Sequence, residues 1–508
     1  MSVRNIVKKY KQRVLSQYIN FTRRLRHPQK YKSIAFLYQY LDDKSVKLNK
    51  KAEAQKKCII SQVSAIDGLF YLPNCAAFVK NKKDADRMMR KGAALLITDT
   101  DYEDYPCMIA DNPMFVFAKL CRYYRDLYPD TKVIAVTGSI GKTTTKDMVG
   151  VVLDTAFKTV YSQGSANSTP TLARAVQHIP KGTEYLLEEV AESNVGGTQY
   201  FSYLLYPDVV VLTPIDLSHF ELFGSEEKII ENVCDITKYM NPQGKVIVNI
   251  DEFKRFDLLN GKQAVTVSTK NKNADYYTEN IKTDGQGLTF DVVISKSGER
   301  CRVRLNEVYA PHNASVAISA FAVGMTAGMP VHKIVEGLAN YRTSGVRQNV
   351  FRTDNHVTVY ADCYNAVAKS VKAAVDACDM MPVKGKRIAI LGDIEEAGDM
   401  SDHSHNEVID DVIHSKFKRV YIVGSKMTRA AEEKNIASSI KTDCFATVED
   451  LLSKVKNVAD DGDLVLLKAS HSINLYKCIA TFWPQEYKNH CKSLDKETIR
   501  QLRKTMYY

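Results

Sequence analysis

Short runs of apolar, largely β-branched residues recur along this chain, and between them lie longer stretches whose apolar positions fall three and four apart. Runs at 133–136, 185–191, 208–213 and 245–249 occupy the middle of the chain, and runs at 357–361, 387–391, 419–423 and 464–467 occupy the last third. A run without polar alternation predicts a strand covered on both faces, and the three-and-four spacing predicts a helix packed on one face. Their alternation predicts an α/β chain built on parallel sheets. Shorter runs at 69–72, 93–98 and 108–110, with helical stretches at 83–91 and 114–128, predict a smaller α/β unit ahead of these. The pattern divides the chain into a leader and linker (1–57), a small unit (58–130), a central unit (131–342), a third unit (343–482) and a tail (483–508).

The run at 133–136 ends in Thr137-Gly138-Ser139-Ile140-Gly141-Lys142-Thr143-Thr144, and a helix-compatible stretch follows. Strand, glycine-containing turn and helix in that order form a phosphate cradle. Glycines let backbone N–H groups of the turn face phosphate oxygens, and the helix N-terminus adds partial positive charge. Gly138, Ser139, Gly141 and Thr144 would line the phosphates, Lys142 would reach the β and γ phosphates of ATP, and the Thr143 hydroxyl would ligate Mg2+. The match is to the shorter G-x-x-G-K-T form, since Val136 stands where the longer motif has glycine. The competing reading is a tight strand-to-helix turn with a solvated lysine.

Ligands of open parallel sheets collect beyond the carboxyl ends of the strands. Glu189, at the end of the 185–191 run, and His219, after the 208–213 run, are placed there. Taken singly, a glutamate at a strand end is usually a surface or capping group and a histidine is usually structural. Beside a phosphate cradle the two form a candidate Mg2+ pair. The third unit has Gly392-Asp393 and Gly424-Ser425 at strand ends, as in a Rossmann-like sheet, but no G-x-G-x-x-G, so it predicts no dinucleotide of its own.

Charge changes the picture only at the start of the chain. Of 70 basic residues, ten fall in residues 1–32, where none of the 59 acidic residues lies. The remainder is nearly neutral, which argues against nucleic acid as a partner of the body. Within the leader Val3, Val7, Tyr10, Val14, Tyr18, Phe21 and Leu25 share one helical face. A membrane-surface helix, a docking helix for a partner, a targeting segment and a helix packed on its own body all suit this pattern. Deleting residues 1–32 is expected to leave the turnover of the folded protein intact, which a steady-state assay of the truncated chain checks. No apolar run approaches the roughly 18 residues of a membrane span. The 11 cysteines are odd in number and contain no C-x-x-C pair, so reduced thiols and a cytoplasmic setting, peripheral to a membrane if the leader binds one, are expected.

These motifs resemble the Mur ligase family over about residues 58 to 480. TGSIGKTTTKDM matches the family's phosphate loop and following helix, and YPDVVVLTPIDLSHFELFGS matches its Pro-Asp, strand and His-x-Glu-x-Phe-Gly-Ser block. VNID at 248–251, HN at 312–313, DCYNA at 362–366, LGDIEEAGD at 391–399 and LLKAS at 466–470 follow in family order. The resemblance implies three α/β domains and ATP-dependent amide-bond formation between small-molecule substrates, a carboxylate resembling a cell-wall precursor and an amine, through an acyl phosphate. It further implies that Lys142, Glu189, His219 and Arg347 serve catalysis, that Thr143, Glu189 and His219 hold Mg2+, and that Asn249, Asn313, Arg347 and Asp362 contact the nucleotide. Some positions depart from the family pattern: Ile140 replaces its loop asparagine, Val233 its carbamylated lysine, Gln62 its uridine-side arginine, and Val367-Ala368 its Asn-Pro pair. A divergent paralogue acting outside peptidoglycan and a catalytically silent nucleotide-binding scaffold are the alternatives these departures raise.

Overall fold

The structure, a computed structural model, describes residues 32–65, 74–162, 164–192, 196–215, 220–284, 286–343, 345–395 and 398–491. The leader stripe, the 69–72 run, His219 and most of the tail lie outside the described residues.

The first unit is a five-stranded sheet in the order Lys47–Leu48, Cys107–Ile109, Leu95–Thr98, Ala76–Phe78, Val63–Ala65, parallel apart from its first strand. It begins earlier than the expected boundary at 58. Helix Ile34–Leu41 buries Ile34, Leu37 and Leu41 in the core shared with the central unit, and the Ser33 hydroxyl caps it by accepting the Phe36 N–H at 3.1 Å. Those three apolar positions keep helical spacing ahead of a lysine-rich stretch, and of the two readings open for this segment, linker or second helix, the structure shows the helix.

The central unit holds nine strands, in the order Glu299–Asn306, Gly287–Ile294, Tyr276–Asp284, Gln263–Ser268, Lys245–Asn249, Val209–Leu212, Lys132–Thr137, Tyr185–Glu189, Thr159–Tyr161. From Tyr276–Asp284 to the Thr159–Tyr161 edge every pairing is parallel. The strand Lys132–Thr137 sits where strand order reverses, with Tyr185–Glu189 on one side and Val209–Leu212 on the other. Pairing of Glu189 with Val136 and of Leu212 with Thr137 brings three carboxyl ends to one level, the place where such sheets bind ligands. The antiparallel strands at 276–306 carry a polar outer face, with Arg304 paired to Asp284 at 2.8 Å and Arg302 to Asp291, so no apolar run announced them.

The third unit is a six-stranded sheet in the order Asn349–Arg352, Thr358–Asp362, Leu464–Lys468, Arg387–Gly392, Arg419–Val423, Lys441–Phe445, antiparallel only at its first strand. Side chains stitch the units together. Buried Gln177 accepts the Val63 N–H and donates to the Val63 carbonyl, both at 2.8 Å, and the Ser165 hydroxyl meets the Tyr364 hydroxyl at 2.7 Å. Among the described residues no helix is long and apolar enough to cross a membrane.

Candidate active site

The turn after Thr137 is shaped by close approach. Gly138 sits at φ +138°, and a Cβ there would lie 2.3 Å from the Thr213 hydroxyl and 2.5 Å from the Thr213 carbonyl oxygen, so only glycine fits. The N–H groups of Ser139 and Ile140 both donate to the Pro214 carbonyl, at 2.9 and 3.0 Å. Gly141, at φ +80°, then opens the helix Lys142–Leu153, whose first-turn N–H groups have no intrahelical acceptor. Those amides and the helix dipole make an anion site beside Lys142.

Thr143, the second residue of that helix, donates from its hydroxyl to Glu189 Oε2 at 2.7 Å, and both residues are buried. The other Glu189 oxygen accepts from Asn167 Nδ2 at 2.8 Å. Lys142 Nζ donates to the Gly138 carbonyl at 2.6 Å and to both oxygens of buried Glu192 at 3.0 and 2.8 Å. Asn167 and Glu192 were missed by sequence reasoning. Both stand in polar loops, and only the partner found in three dimensions marks them out.

Beneath the loop lies a second charged group that sequence reasoning also passed over. Lys146 is fully buried and donates to the Ser162 carbonyl, to the Gly164 carbonyl at 2.8 Å and to Asp147 at 2.9 Å. Burial pushes the nearby Glu188 carboxyl up to about 8, against the opposing pull of Lys146, and one of its oxygens has no hydrogen-bond partner. A raised acid is favoured in its neutral form, so its contribution to stability is intact below the ordinary value near 4.5 and is lost as pH rises to about 8. Glu188→Gln is therefore expected to gain on the parent through that window and to stay ahead by about 2–4 kcal/mol above it. Urea midpoints measured across the pH range check this.

The remaining candidates form a second group. Asn249, at the end of its strand, donates to the Ser315 hydroxyl at 2.8 Å and accepts the Asp251 N–H at 2.9 Å. Asn313 opens the helix that carries Ser315; it donates to Gln348 Oε1 at 3.0 Å, and its own buried carbonyl oxygen has no partner. Asp362 accepts the Gln348 N–H at 3.2 Å and pairs with buried Lys468 at 2.9 Å. The Arg347 guanidinium stacks 3.6 Å above the Tyr364 ring. Burial raises the Asp147 carboxyl in the phosphate-loop helix, against the opposing pull of Lys146 and, more weakly, of Arg347.

The structure thus gathers Gly138, Ser139, Gly141, Lys142, Thr143, Thr144 and Glu189 at one strand-to-helix junction, with Asn249, Asn313, Arg347 and Asp362 along the seam to the third unit. A hydroxyl and a carboxylate oxygen 2.7 Å apart are hard donors that fit magnesium, which takes few protein ligands and completes its shell with water and phosphate. Among the described residues no three His, Cys, Asp or Glu side chains come together as a metal cluster. Val233 is fully buried in the apolar core, and its hydrocarbon side chain carries no donor atom for a metal.

A phosphate loop at the switch point of a parallel sheet, faced by a third α/β unit, defines a nucleotide-dependent enzyme that works between domains. Residues 136–324 match the Mur ligase middle domain and residues 346–471 the Mur ligase glutamate ligase domain. The chain is 30% identical to the UDP-N-acetylmuramoyl-tripeptide–D-alanyl-D-alanine ligase of Bacillus subtilis, over 74% of this chain and 81% of that one. It resembles the structure of MurF from Acinetobacter baumannii, with a TM-score of 0.74 at 21% identity over 89% of this chain and 98% of that one. It also resembles the MurF ligase of Thermotoga maritima in complex with ADP, with a TM-score of 0.67 at 22% identity over 84% and 99%. The chain belongs to the Mur ligase family and is an ATP-dependent, amide-bond-forming ligase.

Proposed function

We propose that this ligase adds D-alanyl-D-alanine, as the amine, to the terminal carboxylate of a UDP-muramoyl peptide in the cytoplasm, with Mg2+ bound alongside ATP. The observation that carries the reading is the Thr143–Glu189 pair at 2.7 Å beside Lys142, in a chain that covers most of a relative named for that reaction. ATP is the substrate whose γ-phosphoryl group activates the acceptor carboxylate, and the amine then displaces phosphate.

Each side chain has a role in this scheme. Lys142 and the first-turn amides neutralise the β and γ phosphates. Thr143, Glu189 and His219 hold the magnesium ion, and Asn167 keeps Glu189 turned toward Thr143. Asn249 and Asn313 contact the nucleotide. Arg347 and Asp362 approach it from the third unit, and apposition of the two units excludes water from an activated carboxyl group. The leader is the element that would bring the enzyme to a membrane surface or a protein partner.

One observation favours a second reading, in which the same chemistry serves a different acid and amine. Gln62, at the position where the resemblance set out above implies a uridine-side arginine, is buried and uncharged and cannot offer the charged fork that arginine would. The test is phosphate release by the purified full chain with magnesium and ATP, each acid and amine offered singly and in pairs, with mass spectrometry of the product. Release that needs both UDP-muramoyl tripeptide and D-alanyl-D-alanine supports the first reading. Release that needs a different pair supports the second, and ATP binding without release for any pair overturns both.

A further inference from the structure

The phosphate cradle is satisfied in part by the protein itself: its lysine and two of its loop amides are occupied, while the first-turn amides of the helix remain open. The Lys142 ammonium donates to the Gly138 carbonyl at 2.6 Å, to the Ser139 carbonyl at 3.3 Å and to the two carboxylate oxygens of Glu192 at 3.0 and 2.8 Å, which occupies all three of its protons. Glu192 is no flexible surface acid. Its side chain is 3% exposed, and its backbone carbonyl accepts from Asn232 Nδ2 at 3.0 Å. Asn232 also accepts the Gly196 N–H at 2.9 Å, so the helix Glu226–Cys234 anchors the backbone at this acid and again at Gly196. The Ser139 and Ile140 amides are spent on the Pro214 carbonyl.

A triphosphate arriving here meets a half-buried lysine already paired and a buried carboxylate of its own sign, where charge interactions are screened less than in bulk water. Lys142 can turn to the phosphates only by leaving Glu192, and a buried carboxylate deprived of its cation is costly. A divalent cation beside the phosphates removes that conflict by supplying the missing positive charge. Resting on the ATP-dependent ligase reading above, we propose that Glu192 is a positioning residue that holds Lys142 at rest and makes nucleotide binding conditional on a divalent cation.

The test is calorimetric binding of ADP and of a non-hydrolysable ATP analogue to the full-length protein, in EDTA and in excess magnesium. Glu192→Gln keeps the shape and removes the charge, and it is expected to bind nucleotide about tenfold tighter than the parent in EDTA while differing little in magnesium. Glu192→Asp, which keeps the charge, is expected to retain the parent's dependence on magnesium. The magnesium concentration needed for half-maximal turnover should fall in Glu192→Gln and hold in Glu192→Asp. A purely structural role would weaken binding in both media alike, and that result, or unchanged metal-free affinity in a Glu192→Gln protein that melts like the parent, overturns the proposal. Failure of the parent to bind nucleotide even in magnesium would instead overturn the ligase reading, and this inference with it.

Discussion

Replacing Lys142 with alanine is expected to lower ATP-dependent turnover by about a thousandfold, the scale seen when a preorganised charge aimed at a reacting centre is removed. Its ammonium rests at the mouth of the loop on the Gly138 carbonyl and Glu192, from which it can turn to the β and γ phosphates once a nucleotide and its cation are bound. The same substitution strips a buried carboxylate of its partner, which by itself costs about 3–5 kcal/mol of stability. Lost activity alone would therefore not separate chemistry from unfolding. The double variant Lys142→Ala with Glu192→Gln does, because it removes the orphaned charge as well. It is expected to melt close to the parent and to remain inactive in the phosphate-release assay, whereas recovery of turnover would remove Lys142 from the site.

Much of this site was legible in the sequence because it is local. The turn from Gly138 to Lys142 shares a few residues with the strand before it and the helix after it, and the β-branched run at 133–136 leading into it reads as a buried strand. Glu189 could be placed near the loop because the carboxyl end of a parallel strand is a defined location, and its pairing with Val136 puts it there. What the sequence hid is held by distant partners. Glu192 meets Lys142 across 50 residues, Asn167 is tied to Glu189 from a polar loop, and Gln177 bridges to Val63 across 114. None of these residues carries a periodic or compositional mark, since a single polar side chain in a loop looks the same whether it faces solvent or a buried partner. The antiparallel strands at 276–306 were hidden for a related reason: one face is charged and exposed, so apolar residues alternate with polar ones instead of forming a run. The segment at 34–41 stood between linker and helix because lysines follow it, and Ile34, Leu37 and Leu41 show the helical spacing once the segment is isolated.

Gly138→Ala is the second substitution with a large expected effect, and its cause lies wholly in the backbone. At φ +138° a non-glycine residue is strained by about 1–3 kcal/mol before any contact is considered. The added methyl would also lie 2.3 Å from the Thr213 hydroxyl and 2.5 Å from the Thr213 carbonyl oxygen. Relief requires the loop to pull away from the strand Val209–Leu212, which breaks the Thr213 N–H bond to the Thr137 carbonyl at 2.8 Å and moves Pro214 off the Ser139 and Ile140 amides. The variant is expected to lose about 3 kcal/mol or more of stability and nearly all turnover, read by urea denaturation and phosphate release. A companion change separates the two contacts. Thr213→Ala added to Gly138→Ala deletes the hydroxyl but leaves the carbonyl, so it is expected to recover little of either loss. Full rescue by that second change would mean the hydroxyl alone was the obstacle, and that neither the left-handed backbone nor the carbonyl dictates glycine at the mouth of the phosphate loop.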